Sequence, residues 1–384
     1  MYGVALKMLV GDTSKYIGII FGITFAALIM TQQPAIFVGL MERTFSLITD
    51  VSYPQLWVMD SKVQYVDDIK PMQDTKLLRV RGVEGVAWAV PFFKGSVRAR
   101  TSDGKFQNVV MVGLDDATLI GGPGDMLSGK LEDLRHTDAI IVDRDGAEKR
   151  LRRSLPDGTS RPLELGDSLE INDRRAVVVG IARTTRSFQS QPLIYTTYQR
   201  AIQFSPAERL KLSFILAGVT TGYDVEKVRL AINNSTGLIA RTAAEFKKMT
   251  LDYFLTNTGI PINFGISVGL GFLVGAAIAG QMFFNFTHDN IRQFGALKAM
   301  GASNGLLTRM IMLQALLSGF TGWGLGVGLA ALFGYSMRHS ILAFRLVWEI
   351  LGLSGAGVLL IVLIAALISI RKVVVLEPAI VFKG

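Results

Sequence analysis

THDNIRQFGALKAMGASNGLLTRM, residues 287–310, lies between two uncharged runs, 262–286 and 310–337. Each run exceeds the roughly 20 apolar residues that cross a bilayer. The stretch between them is therefore read as a short turn-back at one membrane face. Ile291, Phe294, Leu297 and Met300 recur every three residues, with Arg292 and Lys298 outside that stripe. This pattern predicts a compact amphipathic helix, 287–309, suited to docking a partner; the bland alternative is an ordinary interfacial turn.

Two further runs bring the spans to four. Residues 16–41 carry no charge, although Thr31, Gln32, Gln33 and Pro34 interrupt their apolar character. Residues 350–370 contain LGLSGAGVLLIVLIAALISI. With the N-terminus inside, the inner flanks hold Lys7, Lys15, Arg292, Lys298, Arg309, Arg371, Lys372 and Lys383. The outer loop 338–349 holds only Arg338 and Arg345. Both termini, including the tail 371–384, are thus expected in the cytosol.

Residues 1–15 place Val4, Met8 and Leu9 near one face, with Lys7 off it, and predict an interfacial helix. A cleaved signal peptide is the rival reading of the first run. The uncharged stretch reaches residue 41, longer than the apolar core of a usual signal, and favours an uncleaved anchor.

Composition agrees with a membrane protein. Of 384 residues, 50% are hydrophobic and 18% charged, with mean hydropathy +0.38; soluble domains carry about 25% charged residues. No cysteine is present, which excludes disulfides and thiolate metal sites. The net charge of +9 is concentrated at the ends of the apolar runs. Residues 42–260 hold 30 basic and 27 acidic residues (30 − 27 = +3), and the remainder of the chain supplies +6. Such a distribution orients membrane helices and does not fit nucleic-acid binding.

Residues 42–260 are the candidate extracytoplasmic domain, of mixed α+β pattern and read as one or two lobes. VEGVAWAVPFF, FQNVVMVGLD, DAIIVDRD, LELGDSLEIND and RAVVVGIA read as strands bounded by turn residues. Residues 206–212, 223–233 and 243–253 read as helices, the second with Asp224 as its N-cap.

Several motifs weaken on inspection. GPGDMLSGKL, residues 122–131, fits G-x-x-x-x-G-K, but Leu131 replaces the hydroxyl residue and no helix is expected to open after Lys130. GISVG, 265–269, matches a nucleophile elbow yet sits inside an apolar span. His136, His288 and His339 fall in three different regions and form no metal cluster. Asp67-Asp68 and Asp115-Asp116 read as turn pairs, and KRLRR, 149–153, as a solvated loop or a contact for lipid headgroups or an acidic partner. No catalytic residue is assigned. An intramembrane hydrolase lacks a nucleophile–base set. Gly265, Gly269, Gly271 and Gly275, with Gly322, Gly324, Gly326 and Gly328, create G-x-x-x-G spacings that bring helices together, within the chain or between copies.

At residues 287–310 the chain resembles the FtsX-like permease family of ABC transporters, which includes the MacB and LolC/LolE types. There the family's pattern runs approximately R-E-I-G-x-x-x-A-x-G-A. RQFGALKAMGAS supplies Arg292, Gly295, Ala299, Gly301, Ala302 and Ser303 in register; Gln293 replaces the acidic residue and Phe294 the aliphatic one. LELGDSLEINDRRAVVVGIA is similar to the family's recurrent strand pair through Gly166, Leu169, Ile171, Val178, Val179 and Gly180. Gly129-Lys130 looks like its Gly-basic pair, and Leu376, Pro378 and Phe382 resemble its C-terminal ending. The layout also matches: an interfacial segment, one span, a MacB-like periplasmic core domain, then three spans. Among subtypes a free-standing permease of this length looks most like the DevC type.

The resemblance implies a non-catalytic subunit with no cofactor of its own. ATP and Mg²⁺ would sit in a cytosolic ABC ATPase whose closure moves the spans and, through them, the outside domain. Arg292, Gln293, Phe294, Gly295, Leu297, Lys298, Met300, Gly301, Ala302 and Ser303 are the implied ATPase contact. Implied partners are that ATPase, a second permease copy as a homodimer, a periplasmic adaptor protein, an outer-membrane channel and membrane lipid. The location would be a bacterial inner membrane, and the function efflux of a lipophilic or peptide substrate. The alternative is a membrane-anchored sensor or regulator acting on an extracytoplasmic partner without transport. The 14 residues from Arg371 to Gly384 leave no room for a signalling domain after the last span, which disfavours it.

Overall fold

A computed structural model describes residues 2–51, 53–205 and 211–374. Most of the expected helix 206–212, and the C-terminal ending with Leu376, Pro378 and Phe382, lie outside the described residues. The chain divides into two compact units, Met1–Leu40 with Gly259–Gly384, and Met41–Thr258. It begins with helix α1 (Tyr2–Gly11) and the long helix α2 (Thr13–Thr44), which continues through Pro34.

The inserted unit opens with α3 (Ser46–Asp50), β1 (Leu56–Met59), α4 (Thr75–Arg81), β2 (Val86–Arg100), β3 (Phe106–Leu114), β4 (Asp125–Ser128) and β5 (Ala139–Asp143). It continues through β6 (Arg153–Ser154), β7 (Ser160–Arg161), β8 (Ser168–Ile171), β9 (Arg174–Arg183), β10 (Leu193–Thr197), α5 (Tyr198–Phe204), β11 (Phe214–Val219), α6 (Val225–Thr236), β12 (Ile239–Thr242) and α7 (Ala243–Asn257). Strand β2 is the shared element. Its first half, to Phe92, pairs with β11 in an antiparallel row β12-β1-β11-β2. From Phe93 onward it pairs with β3. The order then runs β3-β10-β5-β9, and β8 bonds both β9 and β2, so six strands form a closed ring. Closure removes open edges from that ring, and both halves lean on one long strand.

Local chemistry accounts for these elements. β9 alternates buried and less buried positions along AVVVGIA, while AIIVD of β5 is buried throughout. Asp224 caps α6 by accepting from Glu226 N at 3.0 Å, as its position ahead of the helical stripe predicts. Thr242 and Glu245 form a reciprocal capping box at α7. Trp57 is fully buried, with Phe92, Phe214 and Phe246 around it at 5.6–5.7 Å between ring centroids. The expected strands correspond to β2, β3, β5, β8 and β9; β1, β4, β10, β11 and β12 carry too little alternation to stand out.

The other unit is completed by α8 (Ile260–Asp289), α9 (Ile291–Ala299), α10 (Asn304–Ser336) and α11 (Trp348–Val374). With α2, three of these are long and apolar enough to cross a membrane. They outrun the apolar windows because a hydropathy window marks the bilayer core and the helix continues past it. Glycines set the close contacts of α2. A Cβ on Gly271 would meet Ile29 at 2.6 Å, one on Gly322 Ile23 at 2.7 Å and one on Gly326 Ala27 at 2.5 Å; one on Gly275 would strike Ala26. Gly265, Gly269, Gly324 and Gly328 face open space among the described residues. Only half of the G-x-x-x-G glycines therefore pack helices within the chain.

In α1 the buried residues are Ala5 and Leu9, while Val4, Leu6 and Val10 are exposed. Of the three residues expected near one face, Leu9 is buried, Met8 is half-buried and Val4 is exposed. Partner contact selects the inner side here: α1 packs on α10, where Gln314 Nε2 donates to Ala5 O at 2.7 Å.

Candidate functional site

The segment between the second and third spans is built from three local devices. Asn290 closes α8 by donating its Nδ2 to Phe286 O at 2.8 Å. α9 then runs for nine residues and ends where Gly301 adopts φ +96, a left-handed value that suits glycine. That turn lets Ala302 N reach back to Leu297 O at 3.0 Å. Ser303 caps α10 by accepting from Leu306 N at 3.3 Å. The MGAS sequence is thus a helix stop, a reversal and a helix start.

The helix has two distinct faces. Phe294 is 0% exposed, and with Leu297 and Gly295 it faces inward, into the cluster formed by Ala5, Leu9, Phe286, Leu307 and Met310. Arg292, Gln293, Ala299, Gly301 and Ser303 are exposed, and Met300 is 74% exposed. The predicted stripe of Ile291, Phe294, Leu297 and Met300 is corrected at its end. Spacing of three falls 60° short of a full turn at each step, so nine residues carry the direction half-way around a helix. Met300 therefore leaves the face that Phe294 and Leu297 share.

Ion pairs tie this region to neighbouring helix ends. Lys15 bridges Asp12 at 2.6 Å and Asp289 at 2.5 Å. Lys298 Nζ donates to Val374 O at 3.0 Å, so it is engaged with α11. The Lys372 ammonium lies 4.0 Å from the centroid of the Phe284 ring. Of the ten residues the resemblance singled out, Arg292, Gln293, Met300, Gly301 and Ser303 are exposed. Phe294, Gly295 and Leu297 hold the helix in place from within, and Ala302 is half-buried.

The other motifs resolve into structural roles. Gly129 has φ +75 and lies against the Val179 carbonyl, too close for a Cβ. Lys130 N is taken by Asp133 Oδ2 at 2.8 Å, and a 3-10 turn, Leu131–Arg135, does follow the lysine. That amide, which a phosphate-binding loop would turn to its anion, is here taken by a side chain of the same turn. Ser267 lies within α8 and donates to Asn263 O at 3.1 Å, a helix back-bond that leaves no elbow geometry. Among the described residues no group of three His, Asp or Glu could hold a metal. Asp68 pairs with Lys70, Asp115 accepts from Thr118, and Arg153 of the KRLRR run pairs with the buried Asp167.

Comparison with known proteins follows the same division. A family described as FtsX-like permease C-terminal matches residues 264–378, and one described as MacB-like periplasmic core domain matches residues 16–235, more than half of the chain. No curated protein sequence matches. Among solved structures, the extracellular domain of the noncanonic ABC-type transporter YknZ from Gram-positive bacteria is 16% identical, with a TM-score of 0.34; 49% of this chain and 99% of that one are covered. The periplasmic region of MacB from Actinobacillus actinomycetemcomitans is 12% identical, with a TM-score of 0.38, covering 52% and 94%. A domain of a permease protein from Porphyromonas gingivalis is 12% identical, with a TM-score of 0.30, covering 48% and 84%. By the two family matches, in the order its spans and inserted domain require, the chain belongs to the FtsX-like permease family of ABC transporters, with a MacB-like periplasmic core domain between its first and second spans.

Proposed function

We propose that the chain is the non-catalytic membrane subunit of an ABC exporter. A separate cytosolic ATPase closes on ATP and Mg²⁺, and the movement passes through residues 291–303 to the spans and on to the periplasmic core domain. Two permease copies, a periplasmic adaptor and an outer-membrane channel complete the assembly, in an inner membrane with both termini cytosolic. The substrate class is lipophilic or peptidic. The observation that supports this reading is the two-faced α9: Phe294 is locked among the helices, while Arg292, Gln293 and Met300 stand free on its accessible side. A short rigid element anchored in the spans and open on its outer side can receive force and pass it inward.

The test is co-expression with the partner ATPase and purification in mild detergent. The ATPase should co-elute with the wild-type chain. The double variant Arg292→Glu, Met300→Asp should lose it while keeping its own yield and elution volume. ATP hydrolysis by the chain alone, or undiminished ATPase recovery with the double variant, would overturn the proposal.

A further inference from the structure

The last turns of α8 carry polar residues on a face that the neighbouring helices cover only in part. Gln281, Asn285 and His288 follow one another at i, i+4 and i+7, so with Phe284 they share one side of the helix. Gln281 and His288 are exposed, and Phe284 and Asn285 are half-buried. Gln281 Nε2 donates to Asn285 Oδ1 at 3.2 Å, which uses one of the two amide hydrogens of Gln281. The same helix is apolar enough to cross a membrane. Hydrocarbon offers such groups no partner, so this side of α8 calls for the polar headgroup layer at its inner end.

Helix α11 brings positive charge to the same place. The half-buried Lys372 sets its ammonium over the Phe284 ring, and the His288 imidazole lies at 18° to that ring with centroids 6.3 Å apart. Among the described residues no carboxylate lies within 4.0 Å of the Lys372 ammonium. Asp289, which follows His288, is taken by Lys15 at 2.5 Å, and Lys15 also holds Asp12. Arg371, next to Lys372 in the chain, is exposed. Lys15, Arg371 and Lys372 set against Asp12 and Asp289 leave one positive charge over, before any proton on His288.

We propose that the inner ends of α8 and α11 together bind the headgroup of an anionic phospholipid, with its phosphate at Lys372 and its polar ester and hydroxyl groups along Gln281, Asn285 and His288. Lipid phosphates stand at the level where a span ends, and basic residues between helix ends at that level recognise anionic headgroups. The amide and imidazole groups supply neutral donors and acceptors, while Phe284 offers a ring to the first methylenes. A zwitterionic headgroup brings its own cation, which Lys372 opposes. The inner-leaflet placement rests on the topology of the proposed function.

The experiment uses the full chain, delipidated in a non-ionic detergent, with its unfolding temperature followed as phosphatidylglycerol, phosphatidylcholine or inorganic phosphate is added. Phosphatidylglycerol should raise that temperature saturably, and the other two should not. Lys372→Gln should weaken phosphatidylglycerol about 10-fold, the worth of one charge-assisted hydrogen bond, and Lys372→Arg should keep most of the affinity. Lys7→Gln removes an equal charge from the exposed side of α1 and should leave affinity unchanged. The proposal is overturned by an equal shift with phosphatidylcholine, by an equal shift with inorganic phosphate, which would mean a free anion site only, by unchanged affinity in Lys372→Gln, or by an equal loss in Lys7→Gln. Dissociation of paired copies in Lys372→Gln, with lipid affinity kept, would assign this face to a second copy and overturn it too. Lipid binding is read on the chain alone, so its failure is distinct from a failure of the ATPase to co-elute.

Discussion

Phe294→Ala and Met300→Ala, made six residues apart on one short segment, should behave oppositely. Phe294 is 0% exposed. A buried aromatic side chain removes on the order of 150 Å² from solvent, which at about 25 cal/mol per Å² is about 4 kcal/mol. Phe→Ala substitutions in packed cores cost about 3–5 kcal/mol, so the two routes agree. Met300 is 74% exposed and its truncation should cost within ~0.5 kcal/mol. The assay is thermal unfolding of the detergent-solubilised full chain, with ATPase retention measured on the same preparations. Phe294→Ala should melt well below the parent, and Phe294→Leu should recover part of the loss. Met300→Asp should melt with the parent yet retain less ATPase. If Phe294→Ala melts with the parent, or Met300→Ala falls as far as Phe294→Ala, the inward and outward faces of α9 have been assigned wrongly.

Other perturbations test the remaining contacts. Gly326→Leu should destabilise the helix bundle, because its Cβ would lie 2.8 Å from both Leu28 N and Thr24 O, backbone atoms that cannot swing aside; Gly328→Leu should be tolerated, and equal losses would refute the packing. Gly129→Ala should cost at least about 2 kcal/mol, from the left-handed φ together with the Val179 carbonyl, and a neutral result in chemical denaturation would sink that reading. Burial raises the Asp143 carboxyl from 3.8 to about 6. Its stabilising protonated form is fully present below about 3.8 and lost as pH rises through about 6, on the order of 3 kcal/mol over that window. Asp143→Asn removes the titration. The parent should therefore gain about 1.4 kcal/mol on the variant between pH 8 and pH 5 in unfolding free energy; a pH-independent difference would count against the shift.

Four spans, their order and the insertion of one α+β domain were legible because each rests on local composition. Twenty uncharged apolar residues can be counted, and so can a capping aspartate ahead of a helical stripe. The reversal between α9 and α10 was not read: 287–309 was expected as one compact helix, whereas α8 runs on to Asp289, α9 covers Ile291–Ala299, and Gly301 and Ser303 turn the chain into α10 at Asn304. Strands β1, β10 and β11 were not legible, because short runs of mostly buried residues look alike in any fold, nor was β12, whose four residues hold a single buried position.

The sequence by itself determined where the chain must meet lipid, where it must turn and which family it resembles, since hydropathy, charge and turn chemistry act over a few residues. Only the tertiary structure decided that β8 joins β9 to β2 in a ring, that Gly271 and Gly326 touch α2 while Gly265 and Gly328 do not, and that Met300 leaves the stripe it was placed in. Each of these depends on a partner distant in sequence: another strand's edge, another helix's side chains, or the side of α9 that the bundle covers.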